Sequence, residues 1–496
     1  MADAPTRVTG YAASAARRSA TSRRKALWTL LITGLGMFMT GLDNLVVTTA
    51  LPTIHAELHA DLTTLEWAVS GYTLPFAVLL LPAAAIGDQV GRRRTFVAGI
   101  GVFTLASAAA ALSQGGSELI VARVLQGVAA AFAGPVSLTL VVDSISERRR
   151  ATVLGMWAAL NGLSIAVGPL VGGLVTADFS WKWIFWLNVP IGALVVPLGM
   201  RKLQESRRPG HRVDVPGAVL ASLGLSCLVY ALIRGAADRW SSGVLSVAVC
   251  GVLLLAGFVI WEHRADAPMI PHALFRNRAF TLLNLVGMLM FTGMFGALFL
   301  MTQFIQDVQG YSPLAAGLRM LPWTAMPLLV SPIAGVLATR LGGRPVMLAG
   351  MLCQAAALAW ASLIVSPHVR YGDEIGILLL GGIGTSLFFP PVADLVMGSV
   401  PVALRGVASG VNSALRELGA TLGVAVLSAV FSVYGGYGTA KTFSDGLAPA
   451  VAVGAGLVGL GAGVLVVVRP AEASPTSPPL GQEAKAAHST RHGVTD

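Results

Sequence analysis

An all-α membrane protein of fourteen spanning helices is the fold class this sequence predicts. Three observations carry it. Of 496 residues, 55% are hydrophobic and only 12% charged, about half the charge of an ordinary soluble domain. The apolar residues come in runs of roughly 20, the length a helix needs to cross hydrocarbon at ~1.5 Å per residue. The arginines fall between those runs, clustered on every second loop. Strands are excluded, because backbone in lipid must be satisfied within a helix or a closed barrel and no alternating pattern of about ten residues appears.

The predicted spans lie near 27–51, 65–86, 95–113, 118–142, 151–176, 183–200, 215–233, 242–261, 280–306, 313–338, 345–366, 374–398, 406–432 and 446–468. The first follows Arg17, Arg18, Arg23, Arg24 and Lys25, as a signal peptide would. Its apolar run continues to Ile54, carries Asp43 and lacks a small-residue cleavage site, so it reads as a retained helix. The later spans are punctuated by Arg92–Arg94, Arg148–Arg150 and the basic stretch Arg201–Arg212. With the N-terminus in the cytoplasm, 26 of the 34 Lys and Arg residues lie inside. Five lie outside (Lys182, Arg234, Arg239, Arg370, Lys441), and Arg123, Arg319 and Arg416 lie within spans. An error of one span would scramble that alternation, so both termini are expected in the cytoplasm. The polar ends, 1–24 and 471–496, read as disordered.

The net charge of +10 would suggest nucleic acid in a soluble protein. Here no basic surface is interleaved with aromatics, and the charge reads as membrane topology and contact with anionic lipids. Cys227, Cys250 and Cys353 sit in apolar runs and read as small hydrophobes. All eight histidines fall in loops or tails, and no Gly-rich phosphate loop occurs. The expectation is therefore a protein that is not an enzyme and uses no metal and no cofactor beyond a proton gradient.

Two stretches repeat. Ala84–Arg93 matches Gly335–Arg344 at an offset of 251, and Arg150, Gly155, Ala159, Leu160 and Gly168 match Arg405, Gly410, Ala414, Leu415 and Gly423 at 255. Nearly equal offsets on different helix pairs imply two six-helix halves. The expected division is a basic tail at 1–26, a first bundle at 27–200, a linker with two extra helices at 201–261, a second bundle at 280–468 and a disordered tail at 469–496. Two related halves can rock about a site between them and expose it to each side in turn.

Several motifs are more specific. Leu42–Pro52 reads LDNLVVTTALP, and Gly87–Arg93 reads GDQVGRR. Arg123, Gln126 and Gly127 form RxxQG, and Gly168, Pro169, Gly172 and Gly173 form GPxxGG. Trp181–Gly192 reads WKWIFWLNVPIG, followed by Phe275–Arg278, Tyr311–Pro313 and Leu321–Pro322. In these residues the sequence resembles the 14-helix drug:proton antiporter family of the major facilitator superfamily. The resemblance implies the major facilitator fold, a multi-pass place in the cell membrane, and export of an amphipathic drug or antibiotic in exchange for protons. Proton-coupled transport of another small solute is the alternative, and a receptor or scaffold a weaker one. Oligomeric state stays open.

Asp43 is the sharpest candidate site. It lies about 16 residues into the first span, roughly 24 Å from its inner end. An intramembrane carboxylate is expected to work in transport, although capping or interhelical hydrogen bonds are an alternative reading. Arg123 lies at similar depth, either as partner of Asp43 or bonded to backbone carbonyls. In the second half, Asp394 and Arg416 are expected to pair, or Glu417 and Asp394 to meet cationic cargo or protons; a structural clamp is the further alternative. Asp88, Gly91, Arg92 and Arg93 form a candidate cytoplasmic gate. Gly168, Pro169, Gly172 and Gly173 permit a kink and close helix approach. Trp157, Asn161, Asn284, Phe291, Phe295, Gln303, Trp323 and Asn412 could line a pocket, or simply pack. Met288, Met290, Met294 and Met301 could give it an adaptable wall.

Overall fold

The structure is a computed structural model. It describes residues 5–145, 150–207, 214–265, 268, 270, 272–401 and 404–467, with side chains from Arg24 onward except at scattered positions, most of them between 150 and 178. The long helices are α1 (Pro5–Leu58), α2 (Leu62–Val90), α3 (Arg92–Leu112), α4 (Gly116–Asp143), α5 (Arg150–Asp178), α6 (Trp183–Lys202), α7 (Val215–Ala237), α8 (Ser242–Arg264), α9 (Arg278–Val308), α10 (Pro313–Leu341), α11 (Gly343–Ile364), α12 (Tyr371–Gly398), α13 (Arg405–Tyr434) and α14 (Ala440–Val467). Thirteen carry an apolar stretch long enough to cross a membrane. The 29-residue α5 makes the fourteenth. No strand occurs among the described residues.

Local chemistry sets several helix boundaries. Asp61 caps α2, accepting from Thr64 N at 2.9 Å, and Asn277 caps α9, accepting from Ala279 N and Phe280 N at 2.9 and 3.2 Å. Helix α10 is broken at Ala325. Pro327 there has no N–H to offer the Trp323 carbonyl, and its ring crowds the preceding turn. Helix α1 starts earlier than the sequence reading proposed. Its helix already covers most of the tail expected to be disordered, because the Ala- and Arg-rich stretch after Pro5 favours helix on intrinsic propensity. The tail at 469–496 lies outside the described residues.

The two six-helix halves follow one plan. Helix α1 packs on α5 as α9 packs on α13; α3 packs on α4 as α11 packs on α12; α3 meets α6 as α11 meets α14. The loops between α2 and α3 and between α10 and α11 both turn on a left-handed glycine, Gly91 at φ +126° and Gly342 at φ +89°, conformations that a side chain would strain. Helices α7 and α8 form a hairpin outside the halves. α7 lies against α2 and α13, and α8 packs chiefly on α7. The most apolar stretch of α8 is only 11% buried within the protein, so the rest of it faces lipid.

Fourteen long helices alternating in direction bring the start of α1 and the end of α14 to one end of the bundle, here called the tail end. The halves meet along the α2–α13 and α5–α10 seams and are pinned at the opposite, distal end. There Gln306 on α9 donates to the Thr49 carbonyl on α1 at 2.9 Å. His55 stacks on Tyr437 with centroids 5.3 Å apart. Burial pushes the Tyr437 phenol well above its ordinary value, so it keeps its proton and donates to Gln303 Oε1. Midway along the α2–α13 seam, Thr421 donates to Thr73 at 2.7 Å.

Candidate functional site

The Asp43 carboxylate is buried in the first half and met by donors from two other helices. Arg123 and Gln126 lie three residues apart on α4, hence on one face. Arg123 Nη1 donates to Asp43 Oδ2 and to Gln126 Oε1, the latter at 2.9 Å. Gln126 Nε2 donates to Asp43 Oδ1 at 3.1 Å and to Ser107 Oγ on α3 at 2.8 Å. Asn188, where α6 restarts after a bend, donates to Asp43 Oδ1 at 2.6 Å and to Ser107 Oγ at 3.3 Å. Arg123 also donates through Nε to the Ala68 carbonyl on α2 at 2.8 Å. Its guanidinium lies 4.6 Å from the Tyr72 ring centre and 5.9 Å from that of Phe185. Both readings of Arg123 are therefore realised, as carboxylate partner and as backbone donor. Arg123 Nη2 has no hydrogen-bond partner and is buried. Because a buried charge is tolerable only when paired, a proton arriving on Asp43 would remove the charge that holds Arg123 and oblige this cluster to rearrange.

A second ionic cluster sits at the tail end. Arg92 Nε donates to Asp88 at 2.7 Å, and Nη1 to Asp143 at the end of α4. Ser206 after α6 donates to Asp143 at 3.1 Å and accepts from Arg92 N through its carbonyl at 3.0 Å. Glu205 accepts from Arg93 N at 3.0 Å and lies 3.6 and 3.7 Å from the Nε atoms of Arg93 and Arg94. A side chain in place of Gly91 would collide with Glu205. The gate candidates Asp88, Gly91, Arg92 and Arg93 are thus gathered with α4 and the segment after α6, all within the first half.

The glycine motif of α5 works at two surfaces. Gly168 and Gly172 lie against Leu45 and Thr49 of α1, and Gly173 against the Pro313 carbonyl at the start of α10, across the halves. The side chains of Pro169, Trp157 and Asn161 lie outside the described residues.

The second half holds a different arrangement. Arg416 lies 5.3 Å from the ring centre of Phe291, which stacks on Phe295 at 5.5 Å and meets Phe389 edge-on at 5.6 Å. Arg416 Nε has no hydrogen-bond partner. Glu417, about 100° further round the helix, comes within electrostatic reach of Tyr72 in the first half. The expected Asp394–Arg416 pair does not form: Asp394 is exposed, and Arg416 turns toward α9. Equal depth on neighbouring helices was not enough, because the helices are rotated so that the two side chains diverge. Asn412 donates to Asn284 at 3.0 Å and so ties α13 to α9. Trp323 packs inside the second half, with Nε1 3.4 Å from Thr385 Oγ1, and Gln303 belongs to the distal seal. These two do not join the Phe291 cluster. Met290, Met294 and Met301 are buried core residues, while Met288 presents its carbonyl to Gly419.

The comparison with known proteins is decisive at this point. The sequence model of the Major Facilitator Superfamily matches residues 33–424 and, overlapping, 283–492. The chain belongs to the major facilitator superfamily. It is 37% identical over 414 residues to the multidrug resistance protein Stp of Mycobacterium tuberculosis, covering 83% of this chain and 77% of that one. It is 34% identical over 407 residues to the tetracenomycin C resistance and export protein of Streptomyces glaucescens, covering 82% and 76%. It is 32% identical over 403 residues to the methylenomycin A resistance protein of Bacillus subtilis, covering 81% and 86%. Among solved structures it resembles a POT family transporter bound to a thioalcohol-conjugated peptide, with TM-score 0.66 at 14% identity over 90% of this chain and 95% of that one. It also resembles the nucleoside transporter NupG, with TM-score 0.64 at 13% identity over 89% and 99%. Those two likenesses concern the fold alone.

The two clusters also include residues not singled out from the sequence as site members: Ser107, Tyr72, Asn188, Asp143, Glu205 and Ser206. Asn188 stood in the quoted WKWIFWLNVPIG stretch, which was a signal. Ser107, Asp143, Glu205, Ser206 and the aromatic Tyr72 meet partners between 19 and 112 residues away in the chain, which the sequence does not show.

Proposed function

We propose that this major facilitator protein exports an amphipathic, drug-like molecule in exchange for protons, with its tail end in the cytoplasm of the cell that carries it. The observation that carries the reading is the buried Asp43–Arg123 pair, held by donors from α4 and α6, with Ser107 of α3 accepting from Gln126 and Asn188. Asp43 takes a proton from outside and loses its hold on Arg123. The freed guanidinium and the altered packing of α1 against α4 favour one orientation of the halves. Release of the proton to the cytoplasm restores the pair and resets the cycle. The named relatives that confer drug resistance support export as the direction. The aromatic group of Phe291, Phe295 and Phe389 beside Arg416 offers flat apolar faces and one cation to a cargo. Tyr72, near Asp43, Arg123 and Glu417 together, lies where cargo and proton sites can sense one another. The Arg92 cluster at the tail end then acts as a latch within the first half.

The test is dye efflux and drug susceptibility in a pump-deficient host, comparing wild type with Asp43→Asn. The variant is expected in the membrane at normal amount, with efflux reduced more than tenfold and no cargo-induced proton release. Proton-coupled efflux at the wild-type rate would remove Asp43 from the mechanism. In liposomes, wild-type transport that persists with the pH gradient collapsed and the voltage held at zero would remove proton exchange altogether.

A further inference from the structure

A cavity of about 580 Å³ lies at the tail end of α8, between that helix and the segment leading to α9. Its size falls within the range of small-molecule pockets, about 300–1,000 Å³. Phe258, Val259, Ile270 and Phe275 wall it, and His263 and Arg276 stand among its lining residues. It lies on the extra helix hairpin, apart from the Asp43 and Phe291 clusters and from the seams between the halves.

The cavity is held open by polar clamps. Asp214 at the start of α7 accepts from Gly217 N at 3.0 Å and from the Trp261 indole of α8 at 2.8 Å. Glu262, also buried, accepts from Ile270 N at 2.5 Å and adjoins Asp214. Glu262, itself a lining residue, ties Ile270 to α8, while Asp214 ties Trp261 of α8 to the start of α7. Arg276 and Phe275 are exposed, and no carboxylate pairs with Arg276 among the described residues. Arg264 and Arg278 close the neighbouring helix ends.

We infer that this groove is a binding site for one anionic phospholipid, with an acyl chain along Phe258, Val259 and Phe275 and the phosphate on Arg276. Three features select that occupant. The groove opens on the helix that faces lipid. It stands at the end of α8 where the membrane meets water, so a chain and a headgroup are both within reach. The one acid in its lining, Glu262, is buried and accepts from Ile270 N, whereas Arg276 is exposed at the mouth; the tail end also carries the arginine excess, the side on which anionic lipids are concentrated when it faces the cytoplasm. A planar guanidinium suits a phosphate through paired N–H donors.

The experiment is native mass spectrometry of the purified, delipidated full-length protein, titrated with phosphatidylglycerol, phosphatidylcholine and glycerol 3-phosphate. Phosphatidylglycerol is expected to bind about fivefold more tightly than phosphatidylcholine, the margin for about 1 kcal/mol of arginine attraction. Arg276→Gln should erase that margin, while Phe275→Ala should weaken both lipids alike. Arg239→Gln, at an exposed site on the distal end, should change nothing. Equal binding of the two lipids, or an unchanged margin in Arg276→Gln, overturns the site. So does glycerol 3-phosphate binding as well as the lipid, which marks a soluble phosphate site, or displacement of the lipid by an efflux dye, which marks a cargo groove. None of these readings depends on transport.

Discussion

The two halves share a helix plan and differ in what they bury between the helices. In the first half, Ser107, Arg123 and Gln126 meet Asp43 in a continuous hydrogen-bonded cluster. At the repeat offset of 251 the second half has Leu358, Glu374 and Ile377, and Leu358 and Ile377 are buried among apolar neighbours. Glu374 keeps one contact, accepting from Gln309 at 2.5 Å. The backbone frame survived the divergence, as Gly91 and Gly342 show, while the polar interior did not. A helix bundle can therefore keep its packing and hold its hydrogen-bonded ion pair in one copy, while the other keeps Arg416 against the Phe291 ring. The other copy then presents aromatic surface, here Phe291, Phe295 and Phe389.

That asymmetry can be broken by substitution. The largest effect is expected from Arg123→Leu, which strands the Asp43 charge in the interior. Thermal unfolding in detergent should show a loss of about 3–5 kcal/mol, the range for a broken buried pair. The double variant Asp43→Leu with Arg123→Leu should recover much of that stability and still fail to transport. If the single variant is as stable as wild type, the first half is not organised around this pair. Next comes Asn188→Ala, which removes a hydrogen bond to a carboxylate worth about 1.5–3 kcal/mol; its melting temperature should fall by less than that of Arg123→Leu. Phe291→Ala should raise the dye concentration needed for half-maximal efflux several-fold, with protein level and proton leak unchanged. The smallest change belongs to Glu374→Gln. The substituted amide oxygen can still accept from Gln309, so stability should change little and efflux should stay near the wild-type rate. A collapse of transport there would mean that Glu374 takes part in the cycle and the second half carries more than Arg416 and Glu417.

Much of this was legible in the sequence. Runs of apolar residues gave the helices, alternate arginine clusters paired them, and the repeat offsets fixed the two-half plan. Asp43 and Arg123 were visible because a charge inside an apolar run has few structural reasons to be there. Ser107 and Asn188 were harder, since a single small polar residue in a span looks like any helix-facing hydroxyl or amide until its partner is known. The Asp394–Arg416 pairing failed because depth along a helix can be counted from sequence, whereas rotation about the helix axis cannot. The break at Ala325 was equally hidden: Pro327 lies in a span with other prolines, and several of those, including Pro75 and Pro82 of α2, lie inside unbroken helices.

The distance along the chain between Asp43 and its partners has a consequence for biosynthesis. Arg123 follows Asp43 by 80 residues and Asn188 by 145. At translation rates of about 5–20 residues per second, Asp43 waits roughly ten seconds for its arginine and longer for its amide. During that interval α1 must enter the bilayer with a lone acid, whose cost reaches about 2.5–3.5 kcal/mol at the helix centre and is less nearer the interface, a penalty its apolar neighbours have to outweigh unaided. The ion pair is thus assembled after membrane entry, and a nascent chain lacking Arg123 would pass the insertion machinery normally and meet its fate later, at the hands of membrane quality-control proteases.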